Sequence, residues 1–220
     1  FLEVNTRLQV ELPVTEAVTG LDLVRLQILI AAGEPLPIRQ DDLVLRGHAI
    51  EARIYAEDPR HDFLPSTGRV VCWEEARLPG VRWESGVATG SEVSIHYDPM
   101  LAKVIAHAPT RGEAAALLAR ALDGTRIHGV VTNVPLLREV LRHPAFLAGT
   151  LSTHFIADHL VLQRPPTPAE VEAERLHAVA VALWLQERRR AVAPVLRGLP
   201  SGWRNNPSQQ EEVVFTSEDR

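Results

Sequence analysis

A period-two alternation opens the chain and constrains it most. In the segment Phe1-Leu-Glu-Val-Asn-Thr-Arg-Leu-Gln-Val-Glu-Leu-Pro-Val-Thr-Glu16, residues Leu2, Val4, Leu8, Val10 and Leu12 take even positions, with Thr6 the one polar member. Glu3, Asn5, Arg7, Gln9 and Glu11 take the odd positions. In extended backbone, residues two apart point to the same side, so the segment predicts a strand with one apolar and one polar side. Fully extended, Glu3 to Glu11 would span roughly 26 Å. A single small-molecule site shared by these groups therefore requires a bend, expected near Asn5 and Thr6. Alternation alone also describes a solvated, half-buried strand with no further role.

After Pro13 the pattern becomes helical. Thr15 to Ala32 reads as two helical pieces broken at Gly20, with Asp22 as the cap of the second and Gly33 as its left-handed stop. The two prolines of Glu34-Pro-Leu-Pro-Ile38 end the helix in a loop. From His48 to Glu57 the alternation returns, with Ile50, Ala52, Ile54 and Ala56 against Glu51, Arg53, Tyr55 and Glu57. Asp58-Pro59 ends this strand, and Phe63-Leu-Pro-Ser-Thr-Gly68 is a loop. Short strands are predicted near Arg69 to Trp73, Val81 to Glu84, Ser91 to Ile95 and Lys103 to Ala108.

Thr110 with Glu113 three residues later forms a capping-box pattern before a helix from Ala114 to Leu122 that ends near Gly124. Thr132 or Asn133 is expected to cap a short helix running to Leu141. Arg164-Pro-Pro-Thr-Pro168 reads as a linker, and Ala169 to Val192 as one long helix whose Arg188-Arg-Arg190 run suits a C-terminal end. Gly198 to Pro207 reads as a loop, and Val213-Val-Phe215 as the start of a strand. Strands and helices in separate runs predict an α+β chain.

Composition removes several functional classes. A net charge of −5 argues against a nucleic-acid footprint. The single cysteine, Cys72, excludes an internal disulfide and a thiolate metal cluster, and fits a reducing, cytoplasmic compartment. No run reaches the ~18 apolar residues of a membrane span. Without an initiator Met, and opening inside a patterned segment, the chain reads as a piece of something longer. There is no Gly-rich phosphate loop and no Gly-x-Ser-x-Gly context for a serine nucleophile. The nine histidines are scattered and suggest no zinc site.

Two groups carry chemistry that composition does not exclude. Glu3 and Asn5 offer hard oxygen ligands, which suit Mg²⁺ shared with nucleotide phosphates and suit a surface strand equally well. Arg7 offers a fork of donors for a planar anion. Arg53 has an ordinary reading too, as the ion-pair partner of Glu51 or Glu57 on the polar strand face.

The segment Glu-Val-Asn-Thr-Arg-Leu-Gln-Val-Glu, followed by Pro-Val-Thr-Glu, closely resembles a signature of biotin carboxylases, which are ATP-grasp enzymes. Arg46-Gly-His-Ala-Ile-Glu-Ala-Arg-Ile-Tyr-Ala-Glu-Asp-Pro59 resembles a second signature of that family. Phe63 to Gly68, Gly80-Val-Arg-Trp-Glu-Ser85 and Tyr97-Asp-Pro-Met-Leu-Ala-Lys103 extend the likeness, which covers Phe1 to about Leu160. Leu12 departs from the family, which has His after the base carboxylate.

The resemblance implies that Glu3 and Asn5 bind the metal on ATP, and that Arg7, Gln9 and the backbone N–H of Val10 recognise bicarbonate. It implies Glu11 as general base on bicarbonate and Arg53 as the partner of the biotin ureido oxygen. The apolar neighbours Val10, Leu12 and Val14 are expected to desolvate Glu11. Arg82 matches a dimer-contact position, while Asp98 and Lys103 are expected to be structural.

The implied reaction is ATP-dependent carboxylation of biotin through carboxyphosphate, with ATP, Mg²⁺ or Mn²⁺, and biotin on a carrier. The implied layout is the end of an ATP-grasp domain over residues 1–40, then a biotin carboxylase C-terminal domain of mainly antiparallel sheet with helices over 41–162. A linker at 163–168 and a helix opening a further domain at 169–220 complete it. The tail resembles the region after the carboxylase domain in alpha subunits of propionyl-CoA or methylcrotonyl-CoA carboxylases. No Met-Lys-Met biotinylation motif occurs, so the biotin carboxyl carrier domain is expected downstream or on another polypeptide. Further implied partners are a carboxyltransferase subunit and a second copy in a homodimer; neither nucleic acid nor membrane is among them. Two other readings stand beside this one: a non-catalytic dimerisation or scaffold piece, and another ATP-grasp ligase with an acyl-phosphate intermediate.

Overall fold

The computed structural model describes residues 3–163, 165–194, 198 and 213–215. The chain divides into two units, Phe1–Gln163 and Arg164–Arg220.

In the first unit, the opening alternation does not form a strand. Residues 3–9 have no regular structure apart from a bend at Arg7, and Val10 and Glu11 form a turn. The expected bend at Asn5 and Thr6 thus lies further along. Helix α1, Leu12–Thr19, begins at once because Pro13 in its first turn has φ preset for helix and no N–H to leave unpaired. Gly20 closes α1 in left-handed conformation at φ 74°. The Asp22 carboxylate then accepts from the Arg25 N–H at 2.8 Å and starts α2, Leu23–Ala31, as expected.

The second alternating segment is a strand, β1, His48–Tyr55. It is followed by β2 (Glu57–Asp58), β3 (Leu64–Pro65), β4 (Gly68–Arg69) and β5 (Cys72–Glu74). Then come β6 (Val81–Ser85), β7 (Glu92–Val93) and β8 (Met100–Ala108). The single strand expected over Arg69 to Trp73 is therefore two short ones in different sheets, and that expected over Ser91 to Ile95 shrinks to two residues. A three-stranded antiparallel sheet of order β1-β8-β6 forms the centre, and the remaining strands pair as β2-β3, β4-β7 and β5-β9, where β9 is Arg126–His128.

Helix α3, Arg111–Gly124, opens with the expected capping box: Thr110 accepts from the Glu113 N–H and Glu113 accepts from the Thr110 N–H. Its buried face is Ala114, Ala115, Leu118, Ala119, Ala121 and Leu122. The small alanines let the helix sit close on β1 and β8, where Ala52, Ile54, Val104 and Ala106 complete the core. Helix α4, Val134–Arg142, adds Val134 and Leu141. Two short helices, α5 (Pro144–Ala148) and α6 (Phe155–His159), follow.

With α3 on one sheet face, α1 packs on β1 and β8. Even positions of β1 face α3, so Glu51, Arg53 and Tyr55 belong to the other side. Strand register sets Arg53 beside Lys103 and Lys103 beside Glu84 in one row, and Glu51 beside Ile105 and Ile105 beside Arg82 in the next. Gly129 shows how closely the small sheets are joined. Its φ is 105°, and a Cβ there would come within 2.0 Å of the Arg69 carbonyl oxygen.

The second unit is dominated by α7, Pro168–Val192, whose N-terminus carries a capping box between Thr167 and Glu170. Arg189 and Arg190 fall in its last turn, and the Arg188 guanidinium lies 5.2 Å from the Trp184 ring centroid. Val213 to Phe215 carry no strand, contrary to expectation. The expected loop from Gly198 to Pro207 lies, beyond Gly198, outside the described residues. No helix among the described residues is long and apolar enough to cross a membrane.

Candidate active site

The turn at Val10 and Glu11 brings the opening segment against the outer face of β1. The Glu11 carboxylate accepts from Arg53 Nη2 at 2.9 Å, although the two residues are 42 positions apart. Arg53 also reaches Glu51 on its own strand, Nε to Oε1 at 3.5 Å. Of the ordinary pairings open to Arg53, the one with Glu51 is present. Lys103 pins the turn from below: its ammonium donates to the Val10 carbonyl at 3.1 Å and also pairs with Glu84. The structural role expected of Lys103 is this tie between sheet and turn.

Arg7, Gln9 and Glu11 line one cleft of about 420 Å³, walled by Leu12 and Thr15 of α1, Leu23, Leu26 and Ile30 of α2, and Leu36 and Ile38. Donors and a carboxylate on one rim over apolar walls suit a small anion held against a base. The apolar cover expected around Glu11 is incomplete, its side chain being 55% exposed. Val10, Leu12 and Val14 do not cover it: the turn and first helical residues replace the extended backbone on which that expectation rested. Leu12 supplies a wall of the cleft, and the polar partner of Glu11 comes from Arg53 instead.

Glu3 and Asn5 lie upstream of this cleft and are exposed. The Asn5 amide donates to Glu3 Oε1 at 3.4 Å, so the two side chains meet on one side. No group of three or more His, Cys, Asp or Glu among the described residues could hold a metal ion. Two oxygen donors therefore fit Mg²⁺ only as part of a shell completed by phosphate and water.

For two supporting residues, the long-range partners or the burial were not legible in the pattern. Asn133 is buried and occupies the N-cap position of α4, as expected, but its side chain makes no cap hydrogen bond. It accepts from the Tyr55 N–H at 2.9 Å and donates to the Arg53 carbonyl at 3.1 Å, while its own N–H donates to the Tyr55 carbonyl at 3.2 Å. These bonds hold β1 where its register with β8 slips between Ile54 and Tyr55. A polar residue amid the apolar start of α4 was the only available signal. Glu51 is the other: its side chain is 6% exposed, and burial pushes its carboxyl above the usual range against the pull of Lys103 and Arg53.

Further along the face, Arg82 donates to Glu16 of α1 at 2.7 Å and pairs with Glu84. The bond to Glu16 is the main cause that raises the Arg82 guanidinium. Burial pushes Glu84 upward, but Lys103 and Arg82 outweigh it and hold its carboxyl below the usual range.

Residues 51–158 match the biotin carboxylase C-terminal domain, and residues 1–39 match the ATP binding domain of the carbamoyl-phosphate synthase L chain. The chain is 51% identical over 168 residues to the biotin carboxylase of Halalkalibacterium halodurans, covering 76% of this chain and 37% of that protein. It is 45% identical over 201 residues to the mitochondrial propionyl-CoA carboxylase alpha chain of Rattus norvegicus, covering 87% of this chain and 26% of that one. The chain thus spans well under half the length of these relatives.

Among solved structures, it resembles the biotin carboxylase domain dimer of Hydrogenobacter thermophilus 2-oxoglutarate carboxylase in complex with MgADP, ADP and bicarbonate. The TM-score is 0.73 at 39% identity, over 76% of this chain and 37% of that one. The biotin carboxylase subunit of pyruvate carboxylase gives a TM-score of 0.71 at 44% identity, over 74% of this chain and 36% of that one. With two family matches in chain order and a shared fold at this identity, the chain belongs to the biotin carboxylase family.

Proposed function

We propose that the parent protein carboxylates biotin on a carrier domain, using bicarbonate and ATP, as the biotin carboxylase component of an acyl-CoA carboxylase. The observation that carries this reading is the contact of Glu11 with Arg53 beside the cleft of Arg7 and Gln9. Two segments distant in sequence, each resembling a separate signature, converge on one small volume.

In this reading Arg7 forks the planar bicarbonate, with Gln9 and the Val10 N–H completing its recognition. Glu11 takes the bicarbonate proton as a bicarbonate oxygen attacks the terminal phosphate of ATP, the β–γ phosphoanhydride bond breaks, and carboxyphosphate and ADP form. Carboxyphosphate would break down to CO₂ and phosphate, and the phosphate would take the ureido proton. Arg53 would stabilise the negative charge developing on the ureido oxygen while the ureido nitrogen captures CO₂. Glu3 and Asn5 hold Mg²⁺ or Mn²⁺, which when bound neutralises phosphate charge. Glu11 and Arg53 must part for both roles, and an exposed ion pair is worth only about 0–1 kcal/mol.

Residues 1–40 would end the ATP-grasp domain, 41–162 form the C-terminal domain, 163–168 link, and 169–220 open a further domain. The partners of this reading are the biotin carboxyl carrier domain, a carboxyltransferase subunit and a second copy, in a reducing cytoplasmic compartment.

The test is bicarbonate-dependent ATP cleavage by the full-length protein, with and without free biotin. Glu11→Gln is expected to slow cleavage about 10²–10⁴-fold, as removal of a general base does. Arg53→Ala is expected to lose about 10²–10³-fold in biotin carboxylation. ATP cleavage that ignores biotin would favour another ATP-grasp ligase, and no cleavage at all would favour a scaffold.

A further inference from the structure

Arg53 lies between two carboxylates in unlike settings. Glu11 is 55% exposed, whereas the Glu51 side chain is 6% exposed, and Glu51 Oε2 is buried with no hydrogen-bond partner. A buried carboxylate oxygen left unpaired is costly, so its retention calls for an explanation. The charged groups around it are few. Arg53 stands on the same strand, Lys103 on β8 and Glu84 on β6, with Glu11 on the far side of Arg53. Lys103 is already engaged by the Val10 carbonyl and Glu84.

We infer that Glu51 is the positioning residue for Arg53, anchoring the guanidinium by Nε while its unpaired Oε2 stands ready for a second N–H. This rests on the biotin carboxylase reading above. When substrate parts Glu11 from Arg53, Nη2 loses its acceptor. A guanidinium held only at Glu11 would then swing free with the long, flexible side chain. Held at Nε by a fixed carboxylate, it pivots about that atom and presents its remaining donors to the ureido oxygen. The contact is 3.5 Å with Glu11 in place, and under this inference it shortens once Glu11 lets go. The anchor must be charged, since hydrogen bonds with an ionised acceptor are roughly twice as strong as neutral ones. Glu51 itself touches no substrate.

The test uses the full-length protein and free biotin, reading the ratio of biotin-stimulated to biotin-independent ATP cleavage. Glu51→Gln keeps the shape and removes the charge, and is expected to lower this ratio about tenfold, the size of one charge-assisted hydrogen bond. Added to Arg53→Ala, the same change is expected to lower biotin carboxylation no further, because Glu51 acts through Arg53. Should Glu51→Gln not fold, Glu51→Asp, which draws the charge back by one methylene, is expected to lower the ratio about threefold. An unchanged ratio in whichever variant folds, or a further loss on the Arg53→Ala background, overturns the inference. A parent that does not respond to biotin removes the underlying reading as well. A responsive parent with an unmoved ratio removes only the role of Glu51.

Discussion

Residues 3–11 and residues 48–55 carry the same alternation of apolar and polar side chains, yet only the second stretch is a strand. In β1, Ala52 and Ile54 are 5% and 0% exposed, with β8 paired along the strand and α3 covering its apolar side. In the opening segment, Val4 and Leu8 are 67% and 45% exposed, and no strand among the described residues pairs with it. Alternation defines two sides, but a strand forms when a neighbour satisfies the backbone and another layer buries the apolar side. The site uses both outcomes. The rigid strand presents Arg53, and the irregular segment turns back to bring Glu11 to it.

This contrast predicts opposite responses to substitution. The largest effect is expected in β1: Ile54→Ala should cost about 2–5 kcal/mol in urea unfolding, through lost burial and a residual cavity. A cost below that of an exposed site would show that β1 is not the core strand.

Asn133→Ala should come next. It leaves the Tyr55 N–H and the Arg53 carbonyl without their partner, at about 1–3 kcal/mol for each buried group left unsatisfied. Under the proposed function, biotin-dependent turnover of the full-length protein should fall beyond what the stability loss explains, because the backbone under Arg53 is released. If turnover holds, the register of β1 does not depend on Asn133.

A smaller effect is expected at Asp58, next to β1's end. Burial pushes this carboxyl upward, but hydrogen bonds from His61 and the Arg60 N–H outweigh it and hold it below the ordinary 3.8. A lowered folded value means that the contribution is present above the unfolded value and lost as pH falls through the folded one. Stability measured below about pH 4 should therefore fall less steeply in Asp58→Asn than in wild type. Equal slopes would discard the pairing with His61.

The smallest effect is expected at the opening segment. Val4→Ser should change the stability of the chain by no more than about 0.5 kcal/mol, as surface changes do. A loss comparable to Ile54→Ala would mean that the segment is buried after all.

The elements that were legible from the sequence rest on short-range physics. The Thr110–Glu113 capping box, the Asp22 cap, the Gly20 break and the inward side of β1 each involve residues within a turn or a strand of one another. Asn133 stands at the expected N-cap position, but the partners of its side chain escape a local reading for the same reason. A helix N-cap is the local use of an asparagine, and its actual partners lie 78 and 80 positions away. Cys72 to Glu74 is strand because Arg126–His128 pairs with it, a partner that no local pattern marks.

The sequence by itself determined which chemical groups are available and where local structure starts and stops: Arg7, Gln9 and Glu11 in one run, Glu51 and Arg53 on one strand side. Only the tertiary structure decided that Glu11 meets Arg53, that Lys103 ties Val10 to the sheet, and that Glu51 is buried with one oxygen unpaired. Side-chain periodicity and capping act over a few residues and are written in the chain. Contacts across tens of residues depend on sheet register and on the packing of α1, which follow from burying the whole core at once.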